Sequence, residues 1–330
     1  MAKIRPKGFE PPYPAWSPVL PESLSYVQAQ IAIQSRSGRR DDKLFEALIS
    51  KLGQVGGLRH FERVGHLDAQ GAYNDIAICY WKTPDAMRAW LSPDGPFGSF
   101  VSGLPGGHCG VWYEAIIAPR SHYEINASTP DLNWGLSIEY ESRLEPYHAY
   151  WGSMRDRIGA AEDGGLPGTI GPIVHVPNEG HKRVRIELPP NICLIRTVQG
   201  QSAAAKEEIR SYQADMRPQY EKGVQYLAEN PIESRCLSAR LVNYELPGPG
   251  RPNTETIAWF ASLADLERWV HDHPTHKAIF AASQAHSTRF APEMKLLLGH
   301  EVVVAPSGCA EAMYVGCHPD TGLMPYFKVA

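Results

Sequence analysis

The chain has 330 residues, of which 43% are hydrophobic, 21% charged and 10% aromatic, and its formal net charge is −4. At roughly 150 residues per domain this length suggests about two domains, with a core large enough to need no staples. The composition excludes a disordered chain, the 32 Lys and Arg against 36 Asp and Glu lack the basic excess of a nucleic-acid footprint, and no apolar run approaches the ~18 residues of a membrane span. Lys3, Arg5 and Lys7 are followed by Pro11, Pro12 and Pro14 rather than by an apolar segment, so no secretory signal is read. The six cysteines are scattered without a C-x-x-C, which disfavours a zinc ribbon or a covalently attached haem and suits reduced thiols. A soluble cytoplasmic protein is expected.

Tyr26–Gln34 alternates around Val27, Ala29, Ile31 and Ile33 and is read as a strand. A helix follows over Asp41–Leu52, with Leu44, Phe45, Leu48 and Ile49 on one face. Strands are expected near Arg59–Leu67 and Asn74–Trp81, then a helix opened by Thr83 and Asp85 and stopped by Pro93, then a strand over Gly110–Ala118. The second half repeats this order. Asn191–Gln199 reads as a strand and Ala203–Glu229 as a long helical stretch kinked at Pro218. Strands follow at Arg235–Tyr244 and Thr254–Ala261, then a helix capped by Ser262 and running through Asp272, and Lys295–Ala305 as the last clear strand. Locally, Ile76–Trp90 (IAICYWKTPDAMRAW) and Glu255–Trp269 (ETIAWFASLADLERW) share one layout of apolar strand, hydroxyl cap and helix ending in Trp. Repetition of β-α-β-β-α-β order makes duplication the better explanation. The division expected is 1–120, a connector over 121–190 rich in Gly and Pro with some helix around Glu145–Arg157, and 191–330.

The histidines are the informative residues. His271, His273 and His276 fall within six positions at a helix end, and Trp269, His273, His276 and Phe280 would share a face if helix resumes after Pro274. Imidazoles beside large apolar groups suit an iron porphyrin. The same cluster could hold zinc or non-haem iron, although no carboxylate stands at ligand spacing on that face, and the plainer reading is capping of a helix C-terminus. In the last strand Leu296, Leu298, His300, Val302 and Val304 point one way, so His300 is a titratable group on an aliphatic face, suited to proton transfer if not structural. Arg155 and Arg157 stand beside Tyr150 and Trp151, as a surface ion-pair cluster or as a polarising group for a ligand. Cys317–Gly322 (CHPDTG), with His318, is read as a structural turn, and Gly103–Gly110 is a glycine-rich stretch without a strand-to-helix setting.

Together IAIQS (Ile31–Ser35), YWGSMRDRI (Tyr150–Ile158), NICLIRT (Asn191–Thr197), LERWVHDHPTHKAIF (Leu266–Phe280), HEV (His300–Val302) and CHPDTG resemble the aldoxime dehydratases, most closely their phenylacetaldoxime branch. The resemblance implies an α+β fold of duplicated ferredoxin-like halves forming a dimeric-type α+β barrel around haem, with the chain as a homodimer. It implies haem b, active in the ferrous form, taking the nitrogen of a small aldoxime R–CH=N–OH that is dehydrated to a nitrile and water. Carried over by motif, His276 is the proximal haem ligand and His300 the distal acid and base. Arg157 and Thr197 contact the oxime hydroxyl, and Glu124 lies near the distal side. Relatives often have Ser where Thr197 stands; Thr keeps the hydroxyl and narrows the pocket by a methyl. Against this stand a haem peroxidase or monooxygenase on the same barrel, a haem carrier or sensor, and a zinc hydrolase. The resemblance gives His271, His273 and His318 no role and does not separate arylalkyl from aliphatic substrates.

Overall fold

The computed structural model describes residues 4–104, 109–176, 182–245 and 251–328. Positions 105–108 of the glycine-rich stretch Gly103–Gly110 lie outside them. The strands are β1 (Trp16–Pro18), β2 (Tyr26–Ser35), β3 (Leu58–Leu67), β4 (Tyr73–Trp81), β5 (Cys109–Ala118), β6 (Tyr123–Ala127), β7 (Ser142–Leu144), β8 (Arg183–Glu187), β9 (Cys193–Gly200), β10 (Cys236–Tyr244), β11 (Thr254–Phe260), β12 (Leu297–Val304) and β13 (Ala310–Val315). They form one sheet in the order β7-β1-β6-β12-β9-β11-β10-β3-β4-β2-β5-β13-β8. Within it lie two β-α-β-β-α-β units, one ordered β5-β2-β4-β3 and the other β12-β9-β11-β10, each the 4-1-3-2 arrangement of a ferredoxin-like sheet. They join edge to edge where Asn243 and Tyr244 pair with Gly65 and Val64.

The helices begin where short polar side chains satisfy free amides. Asp41, Thr83 and Ser262 accept from Leu44, Ala86 and Asp265 at 3.0, 3.2 and 3.1 Å, each cap contributing about 1 kcal/mol. Thr83 and Ser262 hold equivalent places in the two copies of the strand–cap–helix layout. On the first unit the outward residues of β2 (Val27, Ala29, Ile31, Ile33) pack under Phe45, Leu48, Met87, Trp90 and Phe97. The inward face of the same strand is partly polar, with Tyr26, Gln28 and Gln30 fully buried.

Those inward faces meet across the barrel. Arg240 of β10 donates through both Nη atoms to Glu114 of β5, at 2.7 and 2.5 Å. Trp259 Nε1 adds a bond to Glu114 at 2.8 Å, and Tyr314 OH one at 2.7 Å. Burial of this ion pair is tolerable because both carboxylate oxygens and both Nη atoms are matched. Gly322, in the CHPDTG turn, closes over the cluster with φ +56°, and a Cβ there would lie 2.3 Å from Glu114 Oε1. The turn is anchored by a 2.9 Å contact of His318 Nε2 with Asp68 and by Gln34 donating to Thr321 at 2.9 Å, which makes it a structural clamp.

Several elements differ from expectation. The connector supplies β6, β7 and β8 as well as the short helix Ser153–Arg157, and β13 follows what reads as the last strand. These strands are short or small in side chain, and their pairing partners are remote in sequence. The helix expected over Ala203–Glu229 is broken by a π-helical turn, Tyr212–Met216, just before Pro218, because proline has no amide to continue the ladder. The segment Pro96–Ser102, to which the sequence reading assigns no element, is helical. Among the described residues no helix is long and apolar enough to cross a membrane.

Replacing Glu114 with alanine strands the Arg240 guanidinium in the interior. The expected loss is about 3–5 kcal/mol, measured as a lower denaturant midpoint at unchanged slope.

Candidate active site

The sheet face of the second unit opposite the barrel interior is covered by helices Pro274–Phe290 and Arg217–Glu229 and by the segment around Ser153–Arg157. Between them lies a cavity of about 460 Å³. Its sheet wall includes Ile195, Thr197, Leu298 and His300, and its helix wall Trp269, His276, Ile279, Phe280 and Ser283. Helix resumes at Pro274, which brings His276, Ile279, Phe280 and Ser283 onto one face at i, i+3, i+4 and i+7 spacing. The π-helical turn brings Met216 to the lining as well. Gly223 lets the neighbouring helix approach closely, since a Cβ there would meet Ile279 Cδ1 at 2.5 Å.

On the sheet wall, β9 and β12 pair antiparallel with Thr197 directly opposite His300, so the hydroxyl and the imidazole sit side by side. On the other flank β6 pairs with β12 and sends Glu124 to the same face, opposite Val302. Glu124 Oε1 lies 2.8 Å from His300 Nε2. The two carboxylate oxygens accept from Arg157 Nη2 and Nε at 3.1 and 2.7 Å, a bidentate pair. Arg157 Nη2 is also 3.1 Å from His300 Nε2, and its Nη1 donates to the Tyr147 carbonyl. Burial raises the affinity of Glu124 for a proton, but Arg157 and His300 outweigh it and hold the carboxylate down at about 2. Arg157 is raised in turn: burial opposes its charge and Glu124 more than restores it. Of the two arginines in this segment, Arg157 enters the site, whereas Arg155 forms a half-buried pair with Glu267 at 2.5 Å.

On the helix wall, burial pushes the His276 imidazole down to about 4, against a smaller opposing effect of the Val270 backbone. The ring packs edge-on to Trp269 at 4.7 Å. Of the other two histidines of this stretch, His273 lies outside the lining and His271 stands at its exposed rim. His273 accepts from Thr275 N at 3.3 Å, capping the start of the helix Pro274–Phe290, and stacks on Tyr226 at 3.8 Å. His271 pairs with Asp272 and touches the Trp151 ring. The face expected to hold Trp269, His273, His276 and Phe280 therefore lacks His273, because Pro274 restarts the helix and leaves His273 outside it. Among the described residues no group of three or more His, Cys, Asp or Glu is arranged to hold a metal ion, so the three imidazoles do not converge on zinc or non-haem iron. A single neutral imidazole on an apolar wall with broad aromatic and aliphatic cover fits an iron porphyrin instead.

His148 also lines the cavity. It is buried, lies 5.6 Å from the Tyr13 ring, and is held at about 4 by burial first and then by Arg157 and Arg5. Nothing in sequence marks it, since it is a single histidine in an irregular segment.

These features define an α+β barrel protein with an apolar-walled pocket that carries an imidazole on one wall and a polar group on the other. The family of haem-containing dehydratases matches residues 26–323, and the chain belongs to it. It is 33% identical to the phenylacetaldoxime dehydratase of Bacillus sp. (strain OxB-1), with 99% of this chain and 95% of that protein covered. Identity to the aliphatic aldoxime dehydratase of Pseudomonas chlororaphis is 30%, over 97% and 92% of the two chains. A crystal structure of an aldoxime dehydratase in complex with butyraldoxime superposes with a TM-score of 0.87 at 26% identity, covering 100% of this chain and 94% of that one. A second aldoxime dehydratase structure gives 0.85 at 28%, covering 100% and 96%.

The depressed Glu124 carboxyl stabilises the fold above its ordinary value of 4.5, and that contribution is lost as pH falls toward about 2. Glu124→Gln removes about 3 kcal/mol at neutral pH and flattens acid destabilisation between about pH 5 and 2, which denaturant titrations across that window measure.

Proposed function

We propose that the protein is a haem-dependent lyase that dehydrates aldoximes, R–CH=N–OH, to nitriles and water. The observation that supports this most directly is the pairing of an apolar-walled imidazole, His276, with His300 and Arg157 on the facing wall of one cavity, both held by the buried Glu124 carboxylate beside them. His276 is the residue that holds the iron of haem b. When bound, the ferrous cofactor supplies a Lewis-acidic, electron-rich iron to the aldoxime nitrogen, and the reaction has no net redox change. The chain's own residues handle the hydroxyl and the protons. Thr197 and Arg157 orient the oxime oxygen beside the imidazole. Hydroxide is a poor leaving group, so protonated His300 gives it a proton as the N–O bond breaks, and water departs. The neutral imidazole then takes the proton from carbon as the C≡N bond completes, restoring the starting protonation state. General acid–base assistance of this kind is worth about 10²–10⁴-fold in rate. Glu124, paired with Arg157, keeps His300 in place.

The division into 1–120, 121–190 and 191–330 follows from this reading, with the middle segment bringing Glu124 and Arg157 to a site otherwise made by the last part. A cytoplasmic homodimer completes it. The six cysteines are all unpaired, which suits a reducing compartment.

Purified with haem and reduced without air, the protein is expected to show a Soret band and to form nitrile from phenylacetaldoxime. Nitrile formation only with peroxide or oxygen would replace the lyase with a peroxidase or monooxygenase. His276→Ala is expected to lose haem, and retained haem with unchanged ligation would remove it as ligand. His300→Ala is expected to keep haem and lose about 10²–10⁴-fold in kcat; near-normal turnover would end its role as acid.

A further inference from the structure

The strands that carry Thr197 and His300 have a second face. Alternation sends their neighbours Arg196 and Glu301 into the barrel interior, where neither is exposed at all. Arg196 and Glu301 are themselves cross-strand partners, one rung along from the Thr197–His300 pair. Arg196 reaches Glu301 at 3.0 Å, Glu255 at 2.5 Å and Glu62 at 2.7 Å. One oxygen of Glu301 accepts from Tyr26 OH at 2.7 Å and Tyr80 OH at 2.6 Å, and the other from Leu136 N at 2.7 Å. Glu301 is thus held from β2, β4, β9 and the turn Gly135–Glu139, whose Gly135 adopts φ +56° and leaves no room for a Cβ beside the Glu301 carboxylate.

One guanidinium among three carboxylates is an expensive way to fill an interior, and an apolar cluster of equal volume would serve stability as well or better. What such a network supplies is a single geometry. A one-residue slip of β12 against β9 would break it and would also turn His300 away from the cavity. We infer that Arg196 and Glu301 are positioning residues, whose ion pair on the inner face fixes the separation of Thr197 and His300 on the outer face. In naming those two as the reacting pair, the inference rests on the dehydratase reading above.

The test uses the haem-loaded protein, reduced under carbon monoxide, where the C–O stretching band reports how closely a distal donor approaches the bound gas. Glu301→Ala is expected to keep haem and its proximal spectrum while its band moves toward that of His300→Ala. Its kcat falls about tenfold or more while KM stays within about threefold. Glu301→Gln, which keeps volume and acceptor, is expected to return the band toward wild type. A Glu301→Ala protein with wild-type band and kcat overturns the inference, and so does one with an unmoved band whose losses follow haem loss alone. If that variant does not fold, Arg196→Lys takes its place, and an unmoved band in it overturns the inference equally. Wild-type protein that binds haem but forms no nitrile overturns the dehydratase reading, while the band still decides the positioning role.

Discussion

The antiparallel pairing of β9 with β12 is the constraint on which the rest of the molecule depends. Both faces of this pair are covered, one by the barrel interior and one by helices, so each rung must satisfy two environments at once. The rung of Arg196 and Glu301 feeds an ion cluster, and the rung of Thr197 and His300 feeds the cavity. The addition of β6 along β12 brings Glu124 within reach of His300, and the chain beyond β6 returns with Arg157. The polar side of the site is therefore assembled by strand register together with the short helix Ser153–Arg157, while the longer helices supply the opposite wall.

Comparison of the two units shows how the second comes to hold this cavity. The matching stretches Ile76–Trp90 and Glu255–Trp269 place Ala77 opposite Thr256 in the internal alignment. Ala77 pairs with Ile31 and Thr256 with Thr197, so Ile31 is the counterpart of Thr197. Ile31 pairs with Tyr113 just as Thr197 pairs with His300, and the same spacing makes Phe97 the counterpart of His276. In the first unit Phe97 and Tyr113 touch, with ring centroids 5.2 Å apart, and Trp90 packs on Phe97 at 5.8 Å. Aromatic packing closes the space there. In the second unit the same positions are a smaller ring on the helix, an imidazole on the sheet and a hydroxyl beside it, and the space stays open. One backbone plan thus yields a packed core in one copy and a ligand pocket in the other through a few side chains.

Much of this was legible in the sequence because it follows from period and capping. The alternation of Val27, Ala29, Ile31 and Ile33 gave the outward face of β2, and Thr83 and Ser262 marked helix starts that the structure retains. His300 stood out as a polar group in an aliphatic strand face. The connector strands were not legible, since β6, β7 and β8 are three to five residues long and owe their form to partners far along the chain. The direction of His273 is not legible in the sequence because it depends on where helix restarts, and a proline at the first helical position converts the residue before it into a cap. Glu124 came only from resemblance, as a lone carboxylate in a short strand carries no pattern of its own. Arg196 and Glu301 were visible as letters of LIR and HEV, but alternation alone does not say that their face is buried and paired.

The charge balance of the polar trio bears on the direction of proton flow in the proposed reaction. Glu124 and Arg157 sum to zero, so a proton on His300 is the trio's only net charge in a largely buried setting. Transfer of that proton to a departing hydroxide leaves the trio neutral, which favours the step in a low dielectric. Recovery of the proton from carbon is then the step that rebuilds charge, and Glu124 is the group that stabilises its arrival. With Arg157 bound through two hydrogen bonds, Glu124 is too weak a base to keep the proton itself, and the proton returns to His300. In the proposed reaction Arg157 would therefore act on the proton twice, by orienting the oxygen that receives it and by preventing the carboxylate from trapping it.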